Sequence, residues 1–75
     1  MSDCMGNEQH YQNLRDLMIA GAEQWNTANK YDPVERESVR ARTDRDAKTI
    51  INGSTTLSER QRQGLREAYE SSKVA

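Results

Sequence analysis

The stretch Asp32–Gly53, DPVERESVRARTDRDAKTIING, decides the fold, because its two ends are written as helix ends while its middle is written as surface. Asp32 can accept hydrogen bonds from the first orphan N–H groups, and Pro33 has the fixed φ of a first helical turn. Glu35 stands where the acid of a capping box belongs. At the far end Asn52-Gly53 predicts closure by a left-handed residue, a conformation glycine adopts without a Cβ clash. Between these ends ten of the seventeen residues from Asp32 to Lys48 are charged and four are apolar. Opposite charges stand four apart in the pairs Asp32/Arg36, Arg40/Asp44, Arg42/Asp46 and Asp44/Lys48, each worth about 0.2–0.5 kcal/mol. A helix is therefore predicted over about 33–52. Its apolar row, Val39, Thr43, Ala47 and Ile50, holds only two large side chains, each contributing about 1.5–3 kcal/mol when buried. Helices in water are held mainly by packing, so neighbouring elements must supply most of what keeps this one folded.

Upstream, Tyr11, Leu14, Met18, Gly21, Trp25 and Ala28 recur at spacings of three and four. They predict a helix over about 8–28, with Asn7 as a weak cap and Leu17, Ile19 and Ala22 beside the main stripe. Trp25 reads most simply as a core anchor against Ile50 or Ile51, with an interface anchor as the competing reading. The loop at 29–32 is short, which makes the two helices an antiparallel hairpin. Downstream, Thr56-Leu57-Ser58-Glu59 matches a capping box and opens a third helix over about 57–72. Leu57, Leu65, Ala68 and Tyr69 share its packing face. Gly64 in the middle of that helix costs roughly 1 kcal/mol against alanine and leaves room for a close neighbour. No segment alternates as a strand does, so the fold class expected is all-α, a small three-helix domain over 8–75 with residues 1–7 as a flexible leader. The core or dimer anchors are Tyr11, Leu14, Met18, Trp25, Ile50, Ile51, Leu65 and Tyr69.

Composition bounds function more than it directs it. Leu, Ile, Val and Phe number ten of 75 residues, far below an ordinary globular domain, while the net charge is −1. A chain of this length buries only about 60–65% of its unfolded surface, so the core is thin and a second copy would enlarge it. Charge is spread evenly: −2 over 1–30, zero over 31–52 and +1 over 53–75. No block is basic enough to announce nucleic acid by charge alone. Cys4 is the single cysteine and His10 the single histidine, which predicts neither an intrachain disulfide nor a Cys/His metal site. The sequence has no apolar run of membrane-spanning or signal-peptide length, and a reducing, cytoplasmic setting is expected.

No nucleophile elbow or glycine-rich phosphate loop is present, and the acids of the middle helix other than Glu35 each have a basic neighbour a turn away, which lowers a carboxyl pKa. The expectation is a protein without catalytic residues, cofactor or small-molecule substrate. It binds another protein as an inhibitor, adaptor or regulator, in the manner of phage and mobile-element accessory proteins, and self-associates as a dimer. The partner surface is placed on Arg36, Arg40, Arg42, Asp44, Arg45 and Asp46, since patterned charge sets specificity and on-rate.

A competing expectation puts nucleic acid at the start of the third helix. There Thr56 would contact phosphate, and Arg60, Gln61 and Arg62 are residue types that read base edges. The run Leu57-Ser58-Glu59-Arg60-Gln61-Arg62-Gln63-Gly64-Leu65-Arg66 resembles the opening helix of LuxR-type or sigma-factor DNA-binding domains. In those domains the reading helix comes two helices later, and this sequence ends first. A third expectation is a structural subunit of a larger assembly.

Overall fold

The computed structural model describes the backbone of residues 2–74 and the side chains of residues 8–74. Helix α1 spans Ser2–Thr27, a single 3-10 turn spans Ala28–Lys30, α2 spans Pro33–Gly53 and α3 spans Glu59–Ser72. The all-α three-helix domain is as expected, with no strand among the described residues. Helix α1 begins at Ser2 rather than near residue 8, so Asn7 lies inside the helix and is not its cap. The stretch expected as a flexible leader has helical backbone from Ser2 onward, while the side chains of residues 1–7, including Cys4, lie outside the described residues.

Paired residues fix the topology. Arg40 reaches the Trp25 carbonyl while Thr43 lies by Gly21, so α1 and α2 run antiparallel. Tyr11 lies on Gly64 and Asn26 donates to the Ser72 carbonyl at 2.8 Å, so α3 runs parallel to α1. The result is an elongated up-down-up bundle of 49 × 17 × 14 Å. Helix α3 packs chiefly along α1, and α2 and α3 touch each other least.

The core is one cluster of Met18, Ala22, Ala47, Ile51, Leu57, Leu65 and Tyr69, flanked by half-buried Tyr11, Leu14 and Ile50. Met18 and Leu65 are its largest fully buried side chains. Ile51, not Ile50, is the buried member of the α2 end, because the inner face of α2 turns towards α3 as well as α1. Trp25 is not packed on Ile50 or Ile51. An antiparallel hairpin puts the start of α2 beside Trp25 and the isoleucines near Leu14, and Arg40 covers the indole instead, 3.8 Å above the ring.

The ends of the elements carry two further corrections. Asp32 caps α2 as expected, accepting from the Glu35 N–H at 2.9 Å. Gly53, however, does not adopt positive φ. The helix runs through it and stops at Ser54, whose N–H donates to the Ile51 carbonyl and whose hydroxyl donates to the Ile50 carbonyl at 2.6 Å. The capping box of α3 is Ser58 with Gln61, two residues beyond the expected Thr56-to-Glu59 register. Leu57 is 4% exposed and its N–H closes a turn onto the Ser54 carbonyl. Burying Leu57 holds the turn in place, and the first residue free to cap is then Ser58.

Candidate binding groove between α2 and α3

Four cations were expected to lie on the charged face of α2, and the fold draws two of them, half-buried, onto its own chain. The Arg40 guanidinium lies on the Trp25 ring, donates to the Trp25 carbonyl at 3.2 Å and donates to Asn29 Oδ1 at 2.8 Å. Arg36 is half-buried and donates to the Tyr31 carbonyl at 3.2 Å. Both tie α2 to the connection that precedes it. Arg42 and Arg45 are exposed, as is Asp46, and among the described residues none of the three makes an ion pair or side-chain hydrogen bond.

None of the four opposite-charge pairs expected along α2 forms. Arg40 turns to the indole, where a cation over an aromatic face combines attraction with burial of the side-chain stem. Asp44 turns to α3, accepting a hydrogen bond from the Tyr69 hydroxyl at 2.5 Å and pairing with Lys73 at 3.0 Å. Burial raises the Asp44 carboxyl, but the hydrogen bonds from Tyr69 and Lys73 and the charge of Lys73 outweigh it. The net shift is below the usual aspartate value. The Trp25 indole N–H, which makes no hydrogen bond of ordinary geometry, adds a small further lowering. Burial first, and then donation to Asp44, hold the Tyr69 phenol protonated well above its ordinary range.

This cluster closes one end of a groove of about 430 Å³ between α2 and α3, left open because those two helices touch least. Ala47, Ile51 and Tyr69 form its apolar floor. Asp44, Lys48, Asn52, Arg66, Glu70 and Lys73 form the rim. Lys73 answers both acids of the rim, lying 3.0 Å from Asp44 and 3.4 Å from Glu70, and its Nζ lies 4.5 Å from the centre of the Tyr69 ring. Arg66 is drawn along α3 towards Glu59 and Gln63. Lys48 is left without an ion-pair partner among the described residues, one turn from exposed Arg45.

Lys48, Asn52, Arg66, Glu70 and Lys73 line this groove without being among the site residues expected from the sequence. A signal was present, since Arg66, Glu70 and Lys73 recur at three and four alongside the apolar face that carries Leu65 and Tyr69.

Of the four residues expected to touch nucleic acid, two are engaged within the fold and two are exposed. Gln61 completes the capping box and Arg62 pairs with Glu59 at 3.3 Å, while Thr56 and Arg60 are exposed. Glu8, Glu59 and Glu67 lie around Arg60 on that surface. Among the described residues no group of three His, Cys, Asp or Glu side chains is placed to hold a metal ion, and no helix is long and apolar enough to cross a membrane. Compared with family models, curated proteins and solved structures, the chain has no match in any of the three.

Proposed function

We propose that the chain acts without chemistry of its own, as a stoichiometric binding module that takes a segment of another protein, net acidic along its contacting edge, into the α2–α3 groove. One observation carries the reading: the groove has an apolar floor, Lys73 is shared between the rim acids Asp44 and Glu70, and Lys48 on the rim with Arg45 a turn away are cations that no acid among the described residues pairs, which leaves this edge positive by one charge. Apolar contact would supply affinity, and the unanswered cations would select sign and register. Inhibition, adaptation or regulation of the partner would follow from occupying one of its surfaces. The thin core of a single copy supports self-association as part of the same reading.

The test is affinity capture followed by re-formation of the complex from purified components. Asn52→Trp fills the groove from an exposed position, and Lys48→Glu with Arg45→Glu reverses the free charge. Each is expected to leave the circular dichroism spectrum unchanged and to weaken the purified 1:1 complex by tenfold or more. A partner bound equally by all three proteins would remove the groove from consideration. Tight, steeply salt-dependent binding to random duplex DNA, weakened by Arg60→Ala, would favour the nucleic-acid reading instead.

A further inference from the structure

The opposite edge of α2, away from α3, bears a row whose order is its own complement. Val39, Arg42, Asp46 and Ile50 fall at spacings of three and four, so they lie along one side of the helix. Val39 and Ile50 are half-buried, while Arg42 and Asp46 are exposed and unpaired among the described residues. Read in one direction the row is apolar, basic, acidic, apolar; an antiparallel copy places acid against base and apolar against apolar. The midpoint of Val39 and Ile50 and that of Arg42 and Asp46 both fall at or beside residue 44. A two-fold axis there would set Val39 on the partner's Ile50 and Arg42 on the partner's Asp46, and the reverse, which is the isologous contact that two-fold symmetry requires. The whole row is about 16 Å long at the helical rise, a span that two α-helices crossing at a shallow angle hold in contact.

The adjoining surface of α1 fits the same use. Leu17 is 53% exposed there and lies beside Asp46 and Ile50 on a hollow of about 250 Å³. Gly21, whose missing side chain opens the floor of that hollow towards Tyr69, stands level with Thr43, next to the proposed axis. A second hairpin laid antiparallel at the axis would cover Leu17 at either side of it.

We infer that a second copy of this chain docks on the α1–α2 face, antiparallel about an axis near residue 44, with Leu17, Val39 and Ile50 as its apolar contacts and reciprocal Arg42–Asp46 pairs. The inference rests on the self-association proposed above and names its surface. It leaves the α2–α3 groove free in both copies, so that the dimer offers two binding grooves.

The test is sedimentation equilibrium on the full chain at low and moderate salt, with circular dichroism as the check on folding. The wild type should sediment at twice the 8.6 kDa of one chain. Leu17→Glu removes a contact made twice per dimer and should raise the dissociation constant by about a hundredfold. Arg42→Asp and Asp46→Arg singly should each raise it by about tenfold, and the double exchange should bring it back to within about threefold of wild type. Arg45→Asp, off the row, should leave it unchanged. A monomer at every concentration overturns both this seam and the self-association it rests on. A dimer indifferent to Leu17→Glu, or one weakened further by the double exchange than by either single change, overturns the seam and leaves self-association standing.

Discussion

Tyr11 lies so close over Gly64 that a methyl group added there would meet the phenol hydroxyl inside van der Waals contact and the ring Cζ at 3.3 Å. Gly64→Ala gains about 1 kcal/mol of helix propensity but must displace that ring, an overpacking cost of about 1–3 kcal/mol. The substitution should therefore destabilise by about 1 kcal/mol in the wild type and stabilise by about 1 kcal/mol in a Tyr11→Ala background, as read by urea unfolding. Equal effects in the two backgrounds would show that the contact has no energetic weight. The sequence announced a small residue at 64 and an aromatic one at 11, yet no periodicity within either helix reports which residues meet across a bundle. Trp25 was misplaced for the same reason. Its stripe was legible, but its covering by Arg40 depends on hairpin register. Asp44 makes the point through titration. Its carboxyl is held below the usual value, so the stability it contributes is present above about pH 4 and is lost as pH falls through the lowered folded-state value. Asp44 is 49% exposed, so solvent screening keeps this contribution below about 1 kcal/mol. Chemical unfolding should show a gap between wild type and Asp44→Asn at pH 7 that closes by about pH 2; a gap independent of pH would mean that the hydrogen bond from Tyr69, rather than the charge, is what matters.

Element boundaries were legible where a side chain caps its own turn and misread where burial chose the register. Asp32 at the start of α2 belongs to the first kind, since the cap, the proline and the acid all agree within four residues. The α2–α3 connection belongs to the second. Both Thr56 and Ser58 are chemically able to cap, and only the burial of Leu57 decides between them. Ser58→Ala should then cost about 1 kcal/mol, while Thr56→Ala, at an exposed turn residue, should change stability by less than about 0.5 kcal/mol. Thermal unfolding of the two variants checks this, and the opposite order would restore the Thr56 register. Gly53 sharpens the contrast. A left-handed closing residue would make Gly53→Ala destabilising, but Gly53 is helical with nothing near its absent side chain, so the substitution should stabilise by up to about 1 kcal/mol.

At the scale of the molecule the governing fact is that a core centred on Met18, Ile51, Leu57, Leu65 and Tyr69 must hold three helices. Total stability for 75 residues is of the order of 4–11 kcal/mol. Leu65 has no exposed surface, and Leu65→Ala should cost about 2–5 kcal/mol, a large share of that total. Leu17 has the same chemistry and the opposite position, exposed on the α1–α2 face, so within a single copy its replacement should cost little. The two leucines thus separate what holds one copy together from what a second copy adds. A dimer stabilises the folded state by mass action, so the wild-type melting temperature should rise as protein concentration is raised over about two decades. Leu17→Glu should abolish that rise while keeping the dilute value, whereas Leu65→Ala should lower the melting temperature at every concentration and keep the slope for as long as the variant folds. Scanning calorimetry at several concentrations reads all three proteins directly. A wild-type melting temperature that did not move with concentration would mean that one copy, thin core and all, is the folded unit.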